Sequence, residues 1–569
     1  PVSTVIAKKR ERLQPLVDID TKKCINCHAC IHVCPVKFCN NGTGNVIEID
    51  HDLCIGCGAC IRRCTHEARC HVDDLDAFIH HSMVADKKTV AVVAPSVVVN
   101  FGEDHLRLNG WLVEACGVEA VFDASFGAEL AARSYAEYLE THPGGCLIAQ
   151  PCPAIVSFIE LYLPDLIPHL APVDSPLVHT MKMIREYFPQ YADHQIVVIT
   201  PCMAKKREFL ATKLGDYSVS FRSIKSYLEA SRLRLADFAP VDYTNPSPER
   251  AVLFSTPGGL LRTLERRMPE VRDRTRRIEG HGVYEYLTNL PEALENGTAP
   301  LLIDCLNCEH GCNGGPLSEA PVKTSRDLVE GRLEKRFREL MEEHQKQASL
   351  EADGDYRAHL DATLSLFWKE GLYERKYRNH SANNRLDVPP ENRLKQIYRD
   401  MGKRFDRDLF NCDSCGYGSC ENMAIAIHNG LNKAENCHFY MANTVAENDG
   451  RLKALFTSTS AGMCVVDQEF NILFANDALC ALFGTTKERI LGTQLFKAQF
   501  EAFLANERPI VEFRIKRPDG THTSCLFNAS EYRYESPLGE RVGYFALVTD
   551  ITRTRQVQAH TMKLEEAKA

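Results

Sequence analysis

The sequence predicts a multidomain α+β protein organised around bound metal. Three observations carry that prediction. The chain has 569 residues, room for several domains at about 150 residues each. Its 24 cysteines lie mostly in tight clusters. Between residues 83 and 325 short β-branched runs alternate with helix-length segments, as in a buried parallel sheet, whereas residues 446–556 read as paired strands joined by tight turns. The formal net charge is -9 with both signs interspersed, which speaks against nucleic acid as a partner. No apolar run approaches the ~20 residues of a transmembrane helix, and the stretch at Pro1-Val2-Ser3 lacks a signal-peptide core. A cytoplasmic location with no membrane partner is the expectation. In such a reducing compartment clustered cysteines bind metal more readily than they form disulfides.

Residues 1–82 carry two cysteine runs. Cys24, Cys27, Cys30 and Cys34, followed by Pro35, repeat as Cys54, Cys57, Cys60 and Cys64, followed by Thr65. Each run has the spacing of bacterial two-cluster ferredoxins, in which the fourth cysteine binds the other cluster. One [4Fe–4S] cluster is therefore assigned to Cys24, Cys27, Cys30 and Cys64, and a second to Cys54, Cys57, Cys60 and Cys34. Zinc is the alternative, but zinc ligands rarely interlock in this way. Cys39 and Cys70 fall outside the pattern and read as spare thiols. A module of this kind carries electrons and does no chemistry of its own.

In residues 83–325 the expected strands are 89–93, 120–122, 146–149, 195–199, 251–254 and 301–303. Residues 146–149 lead into Gln150-Pro151-Cys152-Pro153-Ala154. Residues 195–199 lead into Thr200-Pro201-Cys202-Met203-Ala204-Lys205-Lys206-Arg207-Glu208, and 251–254 into Ser255-Thr256-Pro257-Gly258-Gly259. Residues 301–303 lead into Asp304-Cys305-Leu306-Asn307-Cys308-Glu309-His310-Gly311-Cys312-Asn313-Gly314-Gly315-Pro316. Ligands of open α/β sheets bind beyond the carboxyl ends of the strands. Cys152, Cys202, Cys308 and Cys312 are thus expected to meet in one crevice as a four-thiolate site, with ligands soft enough for an iron–sulfur cluster or zinc.

The loops around Cys152, Cys202 and Cys308–Cys312 resemble, in this order, the three signature loops of [FeFe]-hydrogenases. With the ferredoxin-like module and a later cluster, the resemblance spans roughly residues 1–440. It implies an H-cluster: a [4Fe–4S] unit on Cys152, Cys202, Cys308 and Cys312, bridged by Cys312 to a diiron centre with CO, cyanide and azadithiolate ligands. It implies that Lys205 faces a cyanide and that Glu208 supports Lys205; the bland reading of these two is an i,i+3 surface pair. Cys312, Lys205 and Glu208 are the catalytic candidates. Cys305 is left outside the ligand set, and His310 is expected to point outward or to bond a sulfide.

The departures from that family matter equally. Pro151 stands where catalytic members usually carry a proton-relaying cysteine. Tyr135 stands where a glutamate is expected, with Glu129 and Glu137 nearby. A tyrosine, with a pKa near 10, is a poor relay at neutral pH. Leu306 and Thr200 replace methionines. These changes point to slow turnover, with Glu114, Cys116, Tyr135 and Glu137 as candidates for a substitute route.

Residues 326–400 read as a charged helical connector beginning with an exposed helix over 326–350. Residues 401–445 carry Cys412, Cys415 and Cys420, with Cys437 further on, the spacing of a small helical [4Fe–4S] domain; zinc is again the alternative. Residues 446–556 resemble a PAS domain, with strands at 462–467, 470–476, 511–517, 522–527 and 543–549, an Asp550-Ile551-Thr552 ending, and Cys464, Cys480 and Cys525 in its core. Residues 557–569 begin a signalling helix. Taken together the resemblances imply a sensory [FeFe]-hydrogenase. It would interconvert H2 with protons and electrons slowly and reversibly, splitting H2 heterolytically, and would report H2 or redox state through the PAS domain. Its partners would be ferredoxin or another redox carrier, a downstream kinase or phosphatase, and a second copy through a PAS-mediated homodimer. Two electron ports are expected, one at the ferredoxin-like module and one between the α/β domain and the C-terminal part of the chain. The alternatives are a catalytic ferredoxin-linked hydrogenase and an electron-transfer module without the diiron centre.

Overall fold

A computed structural model describes residues 10–84, 87–319, 325–349, 356–505, 510–517, 520–536 and 539–567. The chain forms two compact units, residues 1–434 and 435–569.

The first unit opens with the two-run module. β1 (Val17–Ile19) pairs antiparallel with β4 (Arg69–His71), and β2 (Asn40–Asn41) with β3 (Glu48–Ile49). Short helices Ala29–His32 and Ala59–Arg63 contain the third cysteines of the two runs. Two parallel sheets come next. Four strands lie in the order β6 (Val118–Asp123), β5 (Thr89–Val93), β8 (Gln195–Thr200), β9 (Tyr217–Ser220). Three more lie in the order β10 (Thr275–Glu279), β11 (Leu302–Leu306), β7 (Leu147–Ile148). Every residue of β5 is buried, as expected of a central parallel strand covered on both faces. One apolar core surrounds the four-stranded sheet. A second runs without a break from the module (Leu16, Val17, Ile55) to the three-stranded sheet (Ile303, Leu306), so the module is seated by apolar packing and not tethered.

Three expectations are corrected. Residues 251–254 are not a strand but part of a buried 3-10 turn, Arg250–Ser255. A four-residue apolar run cannot distinguish a strand from a buried helical turn by periodicity; here the chain folds back at once, and a Cβ on Gly259 would meet the Leu253 carbonyl oxygen at 2.2 Å. Strands β9, β10 and β12 (Glu309–Cys312) were not anticipated. The helix Arg326–Ser349 is not a wholly solvated element: Val329, Leu333 and Arg336 are buried along one face, and Arg336 pairs with Asp123 at 2.5 Å.

The second unit begins with the helix His438–Ser458. An antiparallel sheet comes next, in the order β14 (Ile472–Ala475), β13 (Gly462–Val466), β17 (Gly539–Asp550), β16 (His522–Ser536), β15 (Ile510–Lys516). Cys464, Cys480 and Cys525 belong to its apolar core. Residues 518–519 of the expected hairpin turn lie outside the described residues. The helix Thr552–Glu566 closes the unit. Among the described residues no helix is long and apolar enough to cross a membrane.

Candidate cluster-binding site

Each of the four candidate thiols lies at or beyond the carboxyl end of a strand. β7 ends before Cys152, which caps the helix Pro153–Tyr162; Pro153 suits the first helical position because no intrahelical partner awaits its missing N–H. β8 delivers Cys202 just before the helix Lys205–Thr212. β11 delivers Cys308, and β12 ends on Cys312. The turn between these two requires glycine. Gly311 has φ +60°, and a Cβ there would meet the Ser255 carbonyl oxygen at 2.3 Å.

Cys152, Cys202, Cys308 and Cys312 line one cavity of about 80 Å³. Its walls also include Ala94, Pro95 and Ser96 beyond β5, Pro151, Thr200, Phe254, Ser255 and Leu306. Burial pushes the Cys202 thiol up to about 12, with the Cys152 and Cys308 thiols adding repulsion and Lys205 opposing it. Burial likewise raises Cys308 to about 11 and Cys312 well above the usual thiol range. Thiols that resist ionisation alone, as Cys202, Cys308 and Cys312 do, become good ligands once a cationic group replaces their protons. Among the described residues no three His, Cys, Asp or Glu side chains gather tightly enough for a single metal ion. Thiolates at the corners of a cluster each bind a different iron, so they surround a volume, as these four do.

Lys205 lines the cavity and is buried, and its Nζ donates to Glu208 Oε2 at 2.6 Å. Glu208 is also buried, accepts from Ser175 Oγ at 2.9 Å, and faces Arg375 Nη1 at 3.5 Å. The pair is therefore interior, and its positive end faces the thiols. Cys305 is fully buried with its Sγ toward the Ala149 carbonyl at 3.6 Å, inside the sheet and away from the cavity. His310 does not line the cavity. Pro151 does, beside Cys152.

Tyr135 is buried, and its hydroxyl accepts from the Gln150 backbone N–H at 3.0 Å. Burial pushes its ionisation far above the ordinary tyrosine value. Glu129 is also buried; although burial disfavours its charge, Arg266 at 2.6 Å and two backbone N–H groups hold its carboxyl below the usual range. Glu137 pairs with Arg133 at 2.8 Å. Burial raises the Cys116 thiol to about 12, and Glu114 is exposed. None of these five lines the cavity.

In the module, Cys34, Cys54, Cys57 and Cys60 line one small pocket together, the set expected from crossed ligation. Cys39 shares that pocket, with its Sγ 3.7 Å from Cys34 Sγ. Cys30 lies close to Cys24 and Cys27, and Arg69 donates to its Sγ at 3.2 Å. Cys64 Sγ accepts from the Ala68 N–H at 3.3 Å. Cys70 is exposed. Cys412 is exposed, Cys415 half-buried and Cys420 buried; Cys437 falls in the second unit, where it caps the helix His438–Ser458.

Several residues were not foreseen. Arg207 donates to the carbonyls of Gln14 at 3.0 Å and His51 at 2.8 Å, and also to that of Cys54, fastening the module beside the cavity. Its position within the Cys202 loop was the available signal. Asn307 Nδ2 lies 3.1 Å from the Cys57 carbonyl oxygen and 3.4 Å from Cys308 Sγ. Ser96 Oγ and Ser255 Oγ are buried at the cavity without a hydrogen-bond partner among the described residues.

Residues 87–316 match the family model described as iron only hydrogenase large subunit, C-terminal domain. Residues 16–65 match a 4Fe-4S dicluster domain, and 456–556 a PAS fold. A comparison with curated proteins finds no match. Among solved structures, one titled for stepwise [FeFe]-hydrogenase H-cluster assembly is 17% identical, with 54% of this chain and 100% of that chain covered and a TM-score of 0.40. A variant of the [FeFe]-hydrogenase from Chlamydomonas reinhardtii is likewise 17% identical, with 54% and 100% covered and a TM-score of 0.39. A PAS domain from Haloarcula marismortui is 23% identical, with 20% and 98% covered and a TM-score of 0.17.

Proposed function

We propose that this chain, which carries an iron-only hydrogenase domain between a 4Fe-4S dicluster domain and a PAS fold, is a sensory [FeFe]-hydrogenase of low turnover. The observation that carries the reading is the convergence of Cys152, Cys202, Cys308 and Cys312 on one cavity into which the buried Lys205 faces. When bound, a [4Fe–4S] unit bridged to a diiron centre supplies heterolytic splitting of H2 into protons and electrons. The residues of the chain hold and shape that chemistry. Cys152, Cys202, Cys308 and Cys312 would hold the [4Fe–4S] unit as thiolates. Lys205, held by Glu208 at 2.6 Å, presents a fixed cation to an anionic ligand in a dry site, where charge-assisted contacts are strongest. The apolar wall of Phe254, Leu306 and Pro151 excludes water.

Slow turnover is consistent with Pro151 in the cavity wall and with Tyr135 and Glu129 away from it. Pro151 offers no proton, Tyr135 is locked to a backbone N–H, and Glu129 is held ionised by Arg266. Rapid turnover needs general acid–base transfer in every cycle. The PAS fold supports a reporting role, with a redox carrier and a kinase or phosphatase as partners and homodimerisation through the PAS domain. Cys24, Cys27, Cys30 and Cys64, then Cys54, Cys57, Cys60 and Cys34, and finally Cys412, Cys415, Cys420 and Cys437 would hold one [4Fe–4S] cluster each.

Infrared spectroscopy of the matured protein under H2 tests the reading. Bands from CO and cyanide ligands are expected. Their absence in protein with full [4Fe–4S] occupancy would leave only the electron-transfer alternative, and brisk steady-state H2 evolution would favour the ordinary catalytic enzyme.

A further inference from the structure

Arg69 opens β4, the strand that pairs with β1 in the two-run module. Successive side chains of a strand point to opposite faces. Cys70 faces solvent, so Arg69 faces inward, across from Ile19, at a position where a half-buried strand calls for an apolar residue. Only 4% of Arg69 is exposed. Its Nη2 donates to Cys30 Sγ at 3.2 Å, to the Ile47 carbonyl at 3.0 Å and to Asn40 Oδ1 at 3.5 Å. Its Nη1 is buried without a hydrogen-bond partner among the described residues. No carboxylate is among the partners of this guanidinium.

A buried charge is costly unless an opposite charge lies beside it. A guanidinium cannot shed its proton to escape that cost. The anionic groups within reach of Arg69 are thiols of both runs. Cys30 belongs to the first ligand set and Cys60 to the second. Burial raises both thiols, Cys54 adds to the rise at Cys60, and the Arg69 charge opposes it at each. Asn40 extends the contact toward the second set: its Nδ2 donates to Cys39 Sγ at 3.4 Å, and Cys39 Sγ lies 3.7 Å from Cys34 Sγ. Arg207 also lies near Cys54, but its donors are taken up by three backbone carbonyls. Arg69 alone of the two has a buried N–H group left over. One cation with an orphaned donor, touching thiols of two sets, fits a pair of anionic clusters.

We infer that Arg69 is the shared counter-ion of the two [4Fe–4S] sites of the module, favouring the reduced form of each and holding both reduction potentials above those the same cysteines would give without it. The inference rests on the iron–sulfur reading of the two cysteine runs. On reduction each cluster takes up one electron, and the cluster with its four thiolates becomes more negative by that charge. A fixed cation beside both sites stabilises the more negative form. Net charge and hydrogen bonds to the sulfurs are the means by which a protein sets such potentials, and Arg69 supplies both at Cys30 Sγ. Arg69 is not a ligand; it sets how readily the module accepts electrons. Under the hydrogenase reading, a module poised higher draws electrons from the cavity and favours H2 oxidation over proton reduction, the direction that a chain reporting H2 requires.

The test uses the full chain with its iron–sulfur sites filled, titrated with dithionite and followed by electron paramagnetic resonance, so it requires no hydrogen chemistry. Arg69→Gln keeps a side-chain donor and removes the charge. At the potential that half-reduces the module in the unaltered chain, its reduced-to-oxidised ratio is expected to fall about tenfold, equivalent to ~59 mV for a one-electron couple. Arg69→Ile, a β-branched residue suited to the strand, should match Arg69→Gln. Arg69→Lys keeps the charge and should stay near the unaltered potentials. Unmoved midpoints in Arg69→Gln and Arg69→Ile would overturn the inference, as would an equal fall in all three variants, which would trace the effect to shape and not to charge. Where the neutral variants fail to hold their clusters, retention in Arg69→Lys supports the counter-ion role and loss there too overturns it. The hydrogenase reading is judged separately. A fall in potential in a chain without CO and cyanide bands supports the role of Arg69 and refutes that reading, and unmoved potentials in a chain that shows the bands do the reverse.

Discussion

Pro151 has neither a thiol nor an amide hydrogen, and it forms part of the cavity wall next to Cys152. If proton delivery limits turnover, Pro151→Cys raises the rate of H2 evolution, because a thiol at the wall can exchange protons where proline cannot. An unchanged rate with unchanged infrared bands would place the limiting step elsewhere. Glu208 acts on a different term. It is the buried counterion of Lys205, and Glu208→Ala leaves an ammonium in the interior with its nearest carboxylate removed. Breaking a buried pair from one side costs about 3–5 kcal/mol. A matching loss is expected in the denaturant midpoint of the first unit, and a wild-type midpoint would mean that water already solvates Lys205. Neither the interior position of this pair nor the contact of Asn307 with Cys57 follows from local spacing. An i,i+3 Lys–Glu pair reads the same on a surface as in a core, and Asn307 bonds there only because Cys57 lies across from it.

Among the elements, β11 does most to build the site, since it feeds Cys308 and, through the Gly311 turn, Cys312. It also carries Asp304, which is buried and accepts from the Leu261 N–H at 3.1 Å. Burial raises its carboxyl to about 6. A folded-state value above the unfolded one means that the folded chain binds the extra proton. The associated stability is complete below the unfolded value and is lost as pH rises through about 6. The melting temperature of the first unit should therefore fall between about pH 4 and pH 6 more steeply in the wild type than in Asp304→Asn. The asparagine keeps the acceptor for Leu261 and removes the charge. Parallel slopes would show that the folded chain does not hold the proton on Asp304, its charge being solvated or paired. At this scale the β-branched runs of β5 and β8 were readable because both faces are covered. Residues 251–254 were misread because four apolar residues suit a buried turn equally well.

At the scale of the whole molecule the chain divides at residue 434 into a unit holding the cavity and the two-run module and a unit holding the PAS sheet. Deleting residues 446–569 preserves every candidate ligand, Cys437 included. The shortened chain is expected to keep its CO and cyanide bands and to lose only its reporting to a partner. Loss of the bands would mean that the PAS unit is needed to fill or hold the cavity. The candidate ligands were legible in the sequence by itself, because the spacing of Cys24–Cys34, Cys54–Cys64 and Cys308–Cys312 is a local property of short segments. So were the two classes of sheet, because apolar periodicity is local as well. Tertiary structure alone decided which sites adjoin which. His28 and Cys415, or Asn307 and Cys57, lie hundreds of residues apart in the chain, and their separation is set by how apolar cores close over one another, which no local spacing encodes.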